Sequence, residues 1–159
     1  MAGYSNQKVF ILYEDEHLLV VKKPFGMESQ RGKSFAMDQE SLLRGYLSSK
    51  TKTDNPYLAV VHRLDRPVTG VMVYAKTKKA AADLSAQLQT ENFSKKYEAV
   101  VSGIVPACEG RLEDYLTADK RTGTTSVSSK ADPLAKKAVL TWKEIAREEV
   151  KSGEILLPY

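Results

Sequence analysis

Two compact apolar runs, Leu58-Ala59-Val60-Val61 and Val71-Met72-Val73-Tyr74-Ala75, stand on either side of the charged segment His62-Arg63-Leu64-Asp65-Arg66-Pro67-Val68-Thr69-Gly70. Runs this short and this rich in β-branched residues read as buried strands rather than helices. Pro67 and Gly70 demand a turn or loop between them. The chain is therefore constrained to build a core around such a pair, with a charged loop emerging at one end.

The same vocabulary recurs along the chain. Val9–Tyr13 and Leu18–Lys22 read as strands joined by the acidic turn Glu14-Asp15-Glu16, and Pro24 and Gly26 then break the pattern. After a polar stretch from Glu28 to Asp38, the residues Leu42, Leu43, Tyr46 and Leu47 recur at helical spacing behind a cap at Asp38. Thr77 caps a second helix, with Ala80, Ala81, Leu84 and Leu88 on one face, running to about Thr90. Strands are expected at Lys95–Val101, Arg111–Thr117, Ala138–Ile145 and Glu154–Leu157, and a Ser/Thr-rich loop at Thr122–Ser129. Strands outnumber helices without regular βαβ alternation, so the fold class expected is α+β, a mixed and largely antiparallel sheet with flanking helices. At 159 residues, 42% hydrophobic and 28% charged, one folded domain over residues 9–159 behind a polar tail at 1–8 is the natural division.

No apolar run approaches the ~20 residues of a membrane helix, and no signal-peptide core follows the polar N-terminus. With Cys108 as the single cysteine, the expected setting is the cytosol. A monomer without membrane contact is expected. The net charge of +4 favours a polyanionic partner. His17, His62 and Cys108 make no ligand spacing, so no metal is expected. The lack of a glycine-rich phosphate loop likewise predicts no nucleotide cofactor.

What remains is carboxylate chemistry. If the segment after Val61 stays extended, Arg63 and Asp65 project to one side while His62 and Leu64 project to the other. Guanidinium groups of Arg63 and Arg66 would favour an ionised Asp65, able to act as nucleophile or base; the alternative is a salt-bridged loop. His62 by itself reads as a packed, hydrogen-bonded residue. Lys95-Lys96-Tyr97 offers cations beside an aromatic ring, a combination that suits single-stranded RNA but equally suits an ordinary strand start.

Together these pieces resemble the RluA-like family of pseudouridine synthases. Ile11-Leu12-Tyr13-Glu14-Asp15 and Leu19-Val20-Val21-Lys22-Lys23-Pro24 are similar to that family's first strands and Lys-Pro turn. His62-Arg63-Leu64-Asp65, with Gly70 and the strand ending Ala75-Lys76-Thr77, is similar to its catalytic motif. Lys95-Lys96-Tyr97 with Ala99 and Val100 is similar to its second motif, and the Lys136–Arg147 region also fits. Val68-Thr69-Gly70 stands where the family commonly has Thr-Ser-Gly. After Ile155-Leu156-Leu157-Pro158-Tyr159 the family continues into a Thr-Gly-Arg and His-Gln-Ile-Arg-like segment, so the catalytic domain is expected to be incomplete at its C-terminus.

The resemblance implies isomerisation of a uridine in structured rRNA or tRNA to pseudouridine, without a cofactor. It assigns two catalytic residues: Asp65 as the carboxylate, attacking ribose or base, and Tyr97 as the ring that stacks on uracil and assists proton removal. Arg63 would support the flipped-out nucleotide or fill the stack it vacates. His62, Arg66, Lys22, Lys23, Lys95 and Lys96 would join it in contacting RNA. Two alternatives stay open: an RNA-binding remnant without catalysis, and a carboxylate-dependent hydrolase of a small substrate.

Overall fold

The computed structural model describes residues 10–32, 37–90, 93–103, 105–119 and 121–148. The chain divides into two compact units, Met1–Lys96 and Tyr97–Tyr159, each considered by itself. The α+β expectation holds, and the strands form two antiparallel sheets rather than one.

In the first unit, β1 (Phe10–Glu14), β2 (Leu18–Lys23), β3 (Ala59–Val60) and β4 (Gly70–Ala75) form a sheet in the order β1-β2-β4-β3. Strict alternation in β2 turns Leu19, Val21 and Lys23 to one face. Their partners across the β2–β4 ladder are Tyr74, Met72 and Gly70. Helix α1 (Gln39–Thr51) supplies Leu43 and Leu47, four residues apart on one stripe, to the same core, which Leu58 completes. These side chains are fully or almost fully buried, and a large aliphatic side chain in such a position contributes about 2 kcal/mol.

Capping fixes where the helices start. Asp38 accepts the Ser41 N–H (2.9 Å) and the Ser41 hydroxyl (2.7 Å), while Lys52 ends α1 at φ 58° in the left-handed region. Thr77 Oγ1 accepts the Ala80 N–H (3.2 Å) at the start of α2 (Lys78–Gln87). The predicted face Ala80, Ala81, Leu84 and Leu88 is half-buried, and no residue of α2 is fully covered. The helix stops before Thr90, and two backbone turns, Gln89 N–H to Ala86 and Thr90 N–H to Gln87, carry the chain onward.

The second unit contains β5 (Glu109–Ala118), β6 (Thr125–Ser128) and β7 (Lys136–Lys143), in the order β6-β5-β7. Three expectations are corrected or shifted here. The segment from Lys95 to Val101 is exposed and forms no strand among the described residues, because strand propensity without a neighbouring ladder leaves backbone groups to water. Within the expected loop Thr122–Ser129, residues 125–128 pair with β5 instead. Asp119 organises the turn that makes this possible: its carboxylate accepts the Arg121 N–H, its carbonyl accepts the Gly123 N–H, and Gly123 adopts φ 73°. The last strand runs Lys136–Lys143 and leaves Ile145 outside it. The expected strand Glu154–Leu157 lies outside the described residues, as do Val9 and the tail before it.

Candidate active site

The loop between β3 and β4 is held at alternate residues. His62 faces β4, where the strand's next ladder carbonyl would sit, and its Nε2 accepts the Val73 N–H (3.0 Å). The β3–β4 pairing can thus end at Val60, one residue earlier than the apolar run suggests, without orphaning the Val73 N–H. Burial lowers the His62 pKa, and the charge of Lys95 lowers it further, so the imidazole is kept in the neutral form that can accept this bond.

Leu64 is clamped at both backbone groups by one hydroxyl. Its N–H donates to Ser29 Oγ (3.1 Å), which donates in turn to its carbonyl (2.5 Å). The Ser29 carbonyl accepts the Tyr74 hydroxyl (3.1 Å). Burial pushes the Tyr74 phenol well above its ordinary range, so it remains a neutral donor. The Leu64 side chain packs against the core and over Gly70, where an added Cβ would come within 3.0 Å of it.

Arg66 closes the loop. Its carbonyl accepts the Gly26 N–H (2.9 Å) and its Nε–H donates to the Gly26 carbonyl (2.9 Å). A turn follows, closed by the Val68 N–H on the Asp65 carbonyl (3.0 Å).

Between these anchors, Arg63 and Asp65 are exposed while His62 and Leu64 are half-buried, the alternation expected of an extended segment. Among the described residues the Asp65 carboxylate makes no ion pair with Arg63 or Arg66, so the salt-bridged loop is not the arrangement adopted. A carboxylate on a loop held in this way, with no ion pair among the described residues, is available to a substrate.

Lys23 is a correction. Expected at phosphate, it is wholly buried, and its ammonium donates to the carbonyls of Met27 (2.6 Å), Pro24 (3.1 Å) and Arg66 (3.3 Å). Burial lowers its pKa, and the nearby negative charge of Asp65 opposes that effect. Lys23 therefore ties the Pro24–Met27 turn to the Asp65 loop and brings a positive charge within electrostatic reach of the carboxylate. Its position in phase with Leu19 and Val21 was the available signal. Ser29, lost in a polar stretch, had none.

Lys22, Lys95 and Lys96 are exposed, as phosphate contacts must be. Tyr97 opens the second unit in an irregular segment and is 65% exposed. An exposed ring is available for stacking.

Residues 17–156 match the family described as RNA pseudouridylate synthase. Ribosomal large subunit pseudouridine synthase D of Pseudomonas aeruginosa is 42% identical over 96 residues, covering 60% of this chain and 29% of the relative. The tRNA pseudouridine synthase C of Yersinia pestis is 31% identical over 140 residues, covering 88% of this chain and 52% of the relative. Among solved structures, human RNA Pseudouridylate Synthase Domain Containing 4 superposes with a TM-score of 0.62 at 25% identity, covering 82% of this chain and 51% of that one. The matched regions thus amount to between 29% and 52% of the length of these proteins.

Proposed function

Because this chain belongs to the RNA pseudouridylate synthase family, we propose that it carries the aspartate-bearing part of an activity that converts a uridine in cytoplasmic rRNA or tRNA to pseudouridine. Relatives named for large-subunit rRNA and for tRNA support that substrate class. The reaction breaks the bond from ribose C1′ to uracil N1, turns the base and joins C1′ to C5. The C5 proton is released and N1 gains one, so atoms and electrons balance without an oxidant or an added group.

The observation that carries this reading is the presentation of Asp65: exposed on a loop held at residues 62, 64 and 66, with no ion pair to its carboxylate among the described residues. In the proposed mechanism its carboxylate forms a transient bond either to ribose C1′, as the C1′–N1 bond breaks, or to the base, and that bond breaks again when C1′ joins C5, which returns the free carboxylate. Arg63, two residues earlier on the same side, supports the nucleotide turned out of its stack. Tyr97 stacks on the uracil. Lys22, Lys95 and Lys96 neutralise phosphates, and Arg66 adds charge while its Nε remains bonded to Gly26.

The test is Asp65→Asn, scored by chemical or mass-spectrometric mapping of pseudouridine in transcripts of rRNA and tRNA. The carboxamide fills the same space but is no nucleophile, so pseudouridine formation should vanish while RNA affinity stays within a few fold. Undiminished turnover in Asp65→Asn would remove the carboxylate from its assigned role.

A further inference from the structure

The turn that Lys23 and Arg66 hold against the Asp65 loop carries a residue to which the mechanism gives no part. Phe25 is 75% exposed, one of the least covered large apolar side chains among the described residues. A phenyl ring in water contributes nothing to a core, and an ordinary turn would carry a polar residue there.

This turn is not a loose tip. Pro24 fixes its own φ, and its carbonyl accepts from the Lys23 ammonium. Gly26, at φ 78°, uses both backbone groups on Arg66 (2.9 Å each). The Met27 carbonyl accepts the Lys23 ammonium at 2.6 Å. Phe25 thus sits one residue from a two-bond bridge whose other end, Arg66, is one residue from Asp65. Both peptide groups around it are anchored, so little conformational freedom remains to be lost when a ligand stacks on the ring.

The charges around it select the ligand. Arg63 and Arg66 on the facing loop and Lys22 at the end of β2 are all exposed. A planar apolar face among cations suits an unpaired base with its phosphates, which takes both contacts at once.

Resting on the RNA reading above, we propose that Phe25 is a stacking platform for an unpaired nucleotide flanking the one presented to Asp65. The Lys23–Met27 turn is then a second RNA-binding element beside the catalytic loop. It does not take part in the chemistry; it sets where the strand lies.

The test uses the full chain with two probes: a uridine octaribonucleotide, and an octamer of the same backbone without bases. The variants are Phe25→Ala, Phe25→Leu and Phe25→Tyr, each checked for unchanged thermal unfolding. Phe25→Ala and Phe25→Leu should weaken binding to the uridine octamer about tenfold at constant salt, and Phe25→Tyr should stay within about twofold of the parent. Affinity for the base-free octamer should be the same in all four proteins.

Equal affinity of parent and Phe25→Ala for the uridine octamer would overturn the stacking role alone, as would full rescue by Phe25→Leu or a matching loss on the base-free probe. Absence of salt-dependent binding to either probe by the parent would overturn the RNA reading with it. A loss of self-association in Phe25→Ala, with oligonucleotide binding intact, would assign the ring to a protein contact and refute the proposal.

Discussion

Replacing Lys23 with methionine separates a buried clamp from a phosphate contact. Methionine keeps the unbranched apolar stem, so the cavity term is small. What disappears is the ammonium and its bonds to Met27, Pro24 and Arg66 at 2.6, 3.1 and 3.3 Å. Hydrogen bonds from a charged donor contribute about 1.5–3 kcal/mol each, and the longest of the three counts for little, so the gross loss is roughly 5 kcal/mol. Removing a buried ammonium also relieves its desolvation, which offsets part of that loss. We expect a net destabilisation of about 2–3 kcal/mol, read as a lowered urea midpoint at unchanged m-value. Because Arg66 adjoins Asp65, the slackened loop should also lose turnover, and displacement of about 1 Å can cost a factor of ~100. The salt dependence of RNA binding should keep the parent's slope, since no phosphate contact has been removed. A variant as stable as the parent, with a slope shallower by about one phosphate's contribution, would refute the clamp and return Lys23 to the RNA surface.

Two further predictions concern pH. The His62 pKa is lowered in the fold, so the unfolded chain binds its proton more readily. The imidazole's contribution should be complete above about pH 6.5 and be lost as pH falls below that value through the lowered one. His62→Gln, whose amide oxygen can accept the Val73 N–H without titrating, should show a flatter stability profile between pH 7 and pH 5, and identical profiles would remove His62 from this role. Glu14 is held at about 2: burial would raise its pKa, but hydrogen bonds from Lys76 (2.8 Å), Lys50 (2.9 Å) and Tyr46 (2.8 Å) outweigh that. Its contribution is present above about pH 4.5 and lost as pH falls toward 2. With Lys50 half in solvent we expect Glu14→Gln to cost about 2 kcal/mol at pH 7 and almost nothing at pH 2, measured by denaturant titration at both values.

Local order in this chain is written locally. The alternation Leu19, Val21, Lys23 placed one face of β2 in the core. Asp38 and Thr77 fixed the helix starts through bonds spanning three residues. An extended backbone sent Arg63 and Asp65 to one side of the loop and His62 and Leu64 to the other. Each follows from the geometry of a few successive residues, which a sequence contains in full. Tertiary structure decided the rest. Lys23 became a clamp because the Arg66 carbonyl, 43 residues away, and the Met27 carbonyl arrive at its ammonium. Ser29 acquired its function only when Leu64 came within reach, 35 residues on. Lys95–Val101, strand-like in composition, forms no ladder among the described residues, while the Ser/Thr-rich segment at 125–128 does, because β5 lies beside it. A hydrogen bond needs both of its ends, and where the second is distant in sequence only the folded chain determines what the first will meet.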